Sequence, residues 1–236
     1  TINPEQASQQ LVAAMEDYLN RFDSPVAKYL HGEVLGEFGA GTNQMVERVE
    51  KYFAAAQGEP DHAPFWYLAA WESSVLLASQ SLFAQLENPD SLRVIQAKSL
   101  SELRRLCPNN LWVIRQSLVV MIQNKEPATI DYWQDRRPIL EKAGFSSKNY
   151  VAAGRGDMGY YGDYSKEFDS LELALKELDW SKADSIMFGL DGGMKGKLPS
   201  VNDLAELQPN PLDYLLWQFS DKVTQAAQRQ SVPAAA

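Results

Sequence analysis

A single cysteine and two histidines occur among the 236 residues, and these shortages remove several kinds of chemistry. One thiol cannot close an intrachain disulfide, so a disulfide-stapled scaffold is excluded. Cys107 stands between Leu103-Arg104-Arg105-Leu106 and Pro108, at an expected helix end with no histidine nearby in sequence to activate it. Its expected role is that of a small buried apolar residue rather than a reactive thiol. His31 and His62 are the only imidazoles, and no H-E-x-x-H, Cys–His or Ser-x-x-Lys arrangement sets a base beside a nucleophile. Long apolar runs are missing too. Stretches such as Val75-Leu76-Leu77-Ala78 are interrupted by polar residues within a few positions, well short of the ~20 residues that cross a bilayer. A soluble protein is expected.

The short motifs that do occur lack the surroundings their chemistry needs. Gly154-Arg155-Gly156-Asp157-Met158-Gly159 spells G-x-G-x-x-G, but the preceding Asn149-Tyr150-Val151-Ala152 is too short for a convincing strand. No alternating strand and helix pattern surrounds it, so a dinucleotide site is not expected. The embedded Arg155-Gly156-Asp157 resembles an integrin ligand, a tripeptide that also arises by chance. His31, Glu33 and Glu37 are the residues a carboxylate–histidine metal site would use; a helix-end or loop histidine is the commoner arrangement, and no metal or other cofactor is expected. Asp157 and Asp163 beside Tyr160, Tyr161 and Tyr164 offer a carboxylate pair among aromatic rings, as glycosidases use. Aromatic packing within a helical hairpin explains those tyrosines more simply, and no catalytic residue is assigned.

With 45% hydrophobic residues the chain can bury a substantial core. One domain is expected over residues 1–230, with a sub-boundary near 144–150, and 231–236 form a low-complexity tail. Thr1 in place of methionine implies an upstream segment, a signal peptide or a tag, that has been removed. A cytoplasmic location is favoured, with a periplasmic or secreted one open if that segment was a signal peptide.

Helix signals dominate. Asn3-Pro4 with Gln6 opens a helix to about Arg21 along Leu11, Met15, Tyr18 and Leu19. Asp23-Ser24-Pro25 opens a short one, followed by Gly32, Gly36, Gly39 and Gly41, which predict a loop. Thr42 or Asn43 caps a helix through Val46, Val49 and Phe53 that ends before Gly58. Pro64 starts a segment apolar nearly all round, which places it centrally. Asn88-Pro89, Pro108-Asn109-Asn110 and Glu126-Pro127 with Thr129 start three more, the last containing Pro138, which should kink it or mark its true start. Residues 144–164 and 187–200 are rich in glycine and read as loops, the second exposed. Asn210-Pro211 with Asp213 caps a final amphipathic helix through Leu215, Leu216, Phe219 and Val223.

Residues 160–179 carry the most specific pattern. Tyr160-Tyr161-Gly162-Asp163-Tyr164 is followed by Leu171, Ala174, Leu175 and Leu178 at helical spacing. This stretch resembles the second half of a tetratricopeptide-type repeat, with Glu167 where that repeat has a small residue and Trp180 where it has proline. The resemblance implies an all-α fold of stacked helical hairpins, a tetratricopeptide-like or irregular α–α superhelix with glycine-rich loops. Such stacks bury one face on their neighbours and usually present another to a protein partner.

Charge is unevenly spread. Residues 1–90 hold 13 acidic and 4 basic side chains, 91–148 hold 5 and 10, and the remainder 13 and 8, for a net −9. Arg104, Arg105, Arg136 and Arg137 form the expected docking face if their two helices lie side by side, since arginine suits interfaces. Nucleic acid is not the expected partner, because the net charge repels phosphate. The expected function is a non-catalytic protein-binding helical domain, of the adaptor, chaperone or toxin-neutralising immunity type. Trp133, Asp157, Tyr160 and Tyr161 join the four arginines as expected partner-binding residues. The alternative is a hydrolase or small-ligand protein with a pocket around Trp133, Tyr160, Tyr161 and Asp157.

Overall fold

The computed structural model describes residues 21–38, 41–142 and 165–194, together with positions 10, 13–14 and 16–18. The fold is all-α, and no strand occurs among the described residues. Helical positions before residue 22 precede α1 (Pro25–Phe38), α2 (Thr42–Gly58), α3 (Ala63–Ala78), the single-turn α4 (Gln80–Phe83), α5 (Pro89–Leu106), α6 (Leu111–Gln123), α7 (Thr129–Leu140), α8 (Ser165–Lys176) and α9 (Trp180–Met194). No helix among the described residues is long and apolar enough to cross a membrane.

Several starts follow from local chemistry. Asn88 Oδ1 accepts the Ser91 amide at 3.3 Å, with Pro89 in the first turn where its missing N–H costs nothing. Asn110, itself buried, accepts the Trp112 and Val113 amides at 3.1 and 3.3 Å. Two ends repeat one device. Lys125 and Leu178 both take φ of 55°, after which Glu126 N–H donates to the Met121 carbonyl and Asp179 N–H to the Ala174 carbonyl, each at 2.9 Å. These are Schellman closures built without glycine.

Consecutive helices pack in turn: α1 on α2, α2 on α3, α3 on α5, and so on to α8 on α9. In addition, α5 touches α2, and α9 returns to α6. Two hydrophobic cores result. The first gathers Tyr29, Tyr52, Phe65, Trp66, Leu92, Leu100 and Leu103 from α1, α2, α3 and α5, and the second gathers Trp133, Leu140, Phe168, Leu171, Leu175 and Leu190 from α7, α8 and α9. Helix α6 serves both. Trp112, Val113 and Val120 face the first core, while Ile114, Leu118 and Ile122 face the second. Nine residues of that helix are buried, so the all-round apolar helix at the centre is α6 as well as the expected α3.

Three sequence expectations need correction. Gly32 and Gly36 lie inside α1 and not in a loop. A Cβ at Gly32 would stand 2.5 Å from Tyr52 Cε1, and one at Gly36 would stand 2.7 Å from Arg48 Cζ. Close approach to α2 thus offsets the roughly 1 kcal/mol per residue that glycine costs in a helix. The 187–200 stretch is helical through Met194, because Met187 and Leu190 are buried in the second core and hold the helix past Gly189. Pro138 does not mark the true start of α7, which begins at Thr129 and runs on past the proline into a wider π-type turn at 141–142. Cys107 is buried at the end of α5, in the small apolar role its sequence context gave it. The expected helices over 4–21 for the most part, and over 210–223 entirely, lie outside the described residues, as does the 144–164 stretch.

Candidate functional site

Four arginines from α5 and α7 were the expected docking face, and the fold sorts them into two kinds. Tyr132 and Arg136 are four apart on α7 and so share a face. Arg104, on α5, reaches the same ring. Each of the two guanidinium carbons lies 5.7 Å from the Tyr132 ring centroid, within cation–π range. Neither Arg104 nor Arg136 forms an ion pair among the described residues. Burial pushes the Tyr132 phenol up, and the Ser117 hydroxyl and the two guanidinium groups pull it part of the way back.

Arg105 and Arg137 are committed elsewhere. Arg105 donates to Glu102 at 2.9 Å, to Asp61 at 3.1 Å and to the Pro60 carbonyl at 3.2 Å. It therefore ties the end of α5 to the α2–α3 turn. Arg137 donates to Glu141 at 2.8 Å, to Glu172 at 2.7 Å and to Asp169 at 2.6 Å. That fork joins α7 to α8, and Lys176 adds a further bond to Glu172 at 2.6 Å.

Trp133 is 1% exposed, with its ring edge-on to Phe168 at a centroid distance of 5.1 Å. Asp157, Tyr160 and Tyr161 lie outside the described residues. The sequence reading missed Tyr132, although its spacing of four from Arg136 was the available signal.

A second polar cluster sits in the first core. Tyr52 donates to Glu33 at 2.6 Å and accepts from Arg48 Nε at 3.0 Å, and Arg48 in turn lies 3.1 Å from Glu72. Burial, then the bond to Glu33, pushes the Tyr52 phenol far above its ordinary range, so it remains a donor. Burial also raises the Glu72 carboxyl, against the pull of Arg48. The cluster bolts α1, α2 and α3 together through one tyrosine and one arginine.

Among the described residues, the grouping around His31 does not include Glu33. Glu33 is engaged by Tyr52, and the Glu37 side chain lies outside the described set. The structure brings His31 to Glu16 and Glu47 instead.

The chain matches no family model, no curated protein and no solved structure.

Proposed function

We propose that this chain is a non-catalytic, protein-binding domain of stacked helical hairpins, related in style to tetratricopeptide arrays, of the adaptor, chaperone or immunity type. Its partner presents an acidic surface to Arg104 and Arg136. The observation that carries this reading is the contrast among the arginines. In a chain of net charge −9, carboxylates are abundant, and Arg105 and Arg137 find them. Arg104 and Arg136 instead flank a half-buried tyrosine, leaving two cations and a ring as a preorganised recognition surface. Aromatic and arginine side chains of this kind supply most of the energy in protein interfaces, and uncompensated charge speeds encounter with an opposite surface. The hydrolase or small-ligand alternative has less support, since the Trp133 ring is taken up by Phe168.

The test is affinity capture at matched salt, comparing the natural chain with Arg104→Glu/Arg136→Glu and with Arg105→Glu. Quantitative mass spectrometry should find one stoichiometric partner, lost with the first variant and kept with the second. Equal capture by all three forms would overturn the reading.

A further inference from the structure

We propose that Glu16, His31 and Glu47 form a site for a divalent transition-metal ion of the zinc type, which clips the helical residues before α1 onto α1 and α2. The ligand atoms of the three side chains all lie within 4.8 Å of one another. His31 is 1% exposed, and neither of its ring nitrogens has a hydrogen-bond partner among the described residues. A buried imidazole left unpaired is costly, because burial strips its water without replacing the bonds. It is therefore a polar group in want of a partner, and two carboxylates stand beside it.

The donor set fits the chemistry. One imidazole nitrogen and two carboxylate oxygens suit zinc and its neighbours, whose bonds of about 2.0–2.2 Å put adjacent ligands roughly 3.3 Å apart in a tetrahedron. The present spacing must close toward that value on binding, and Glu16, which is exposed, has room to move. Its exposure also gives the ion a way in and leaves outer positions for water. Lys51, whose Nζ lies 3.5 Å from Glu47 Oε1, is the cation now balancing that carboxylate. A dipositive ion would take its place. The three ligands come from sequence positions 15 and 16 residues apart, so bound metal would also tie the segment before α1 to α1 and α2.

Titration of the tag-free full chain with Co(II), read by visible absorption, and with Zn(II), read by competition against a chromophoric chelator, tests the site. One equivalent should bind, with the intense Co(II) spectrum of low coordination number, and Zn(II) should raise the Tm. Glu16→Gln, at an exposed position, should weaken binding by at least about tenfold, as changes near a metal do, and should abolish the Tm rise. Glu47→Gln should act likewise, His31→Ala should abolish binding, and His62→Ala should leave it unchanged. No saturable binding, equal affinity in Glu16→Gln and His31→Ala, or loss confined to His62→Ala would each overturn the proposal.

Discussion

The two cores share helix α6 and little else in the way they are held together. The first is a crossing of close-packed helices in which backbone meets side chain: Gly32 lies against the Tyr52 ring, Gly36 against the Arg48 guanidinium, and Gly58 against Pro25. Through that crossing runs the chain of bonds Glu33–Tyr52–Arg48–Glu72. The second core is largely aliphatic around Trp133 and Phe168, and its polar support lies at the rim, where Arg137 holds Glu141, Asp169 and Glu172. Gly189, beside this core, has room: a Cβ there would meet nothing within 4 Å. The same residue type thus does opposite work in two helices of one chain. At Gly32 and Gly36 of α1 glycine is a contact surface, and at Gly189 of α9 it is only a loss of helix propensity.

That contrast gives the largest expected effect. Alanine in place of a helical glycine gains up to about 1 kcal/mol from propensity alone. At Gly32 the new methyl collides with a fully buried ring that has no space to retreat, and overpacking of that kind costs about 1–3 kcal/mol. Gly32→Ala is therefore expected to destabilise, whereas Gly189→Ala is expected to stabilise by about 0.5–1 kcal/mol. Urea unfolding of both variants decides it. A stabilised Gly32→Ala would show that the α1–α2 crossing is looser than the structure has it.

A smaller effect separates the cores by pH. The Glu172 carboxyl is lowered from its ordinary 4.5, chiefly by its bond to Lys176 and, against some burial, by Arg137. A lowered folded value means the unfolded chain binds the proton more readily, so this stabilisation is complete above about pH 4.5 and is lost as pH falls through the folded value. Glu72 has the opposite sign, because burial raises it above 4.5. Its ionised form costs stability above the raised value, and that cost is relieved as pH falls toward 4.5. Measured by urea unfolding between neutral and acid pH, the advantage of the natural chain over Glu172→Gln should shrink on acidification. Relative to Glu72→Gln, the natural chain should improve over the upper part of that range. The same direction for both would contradict the assigned environments.

Much of the fold was legible because it rests on local signals. Asn88-Pro89 and Asn110 announce helix starts through hydrogen bonds to amides two or three residues on, and the apolar spacing of Leu92, Ile95, Leu100 and Leu103 marks the face that is buried. The glycines were misread because their reason is tertiary: nothing within α1 reveals that Tyr52 will lie across Gly32. The candidate site was half legible. Sequence located the basic segment, and helical spacing places Tyr132 with Arg136. Arg105 and Arg137 each have one local partner, Glu102 and Glu141, but the partners that tie them to other helices or turns include Asp61 and Asp169, 44 and 32 residues away, and no local pattern links those. His31, Glu16 and Glu47 are separated in the same way.

The central claim is that arginines with carboxylate partners hold the fold and those without them hold the partner. Single charge reversals at Arg104, Arg105, Arg136 and Arg137, each followed by both urea unfolding and partner capture, test it directly. Arg137→Glu is expected to lower stability most, since it sets like charges against Asp169, Glu172 and Glu141, and Arg105→Glu is expected to lower it slightly. Arg104→Glu and Arg136→Glu each lose a cation–π contact to Tyr132 and should lower stability by about 0.5–1 kcal/mol, less than Arg137→Glu, while capture falls. Capture that tracks stability across all four variants, with no separate loss at Arg104 and Arg136, would contradict the account.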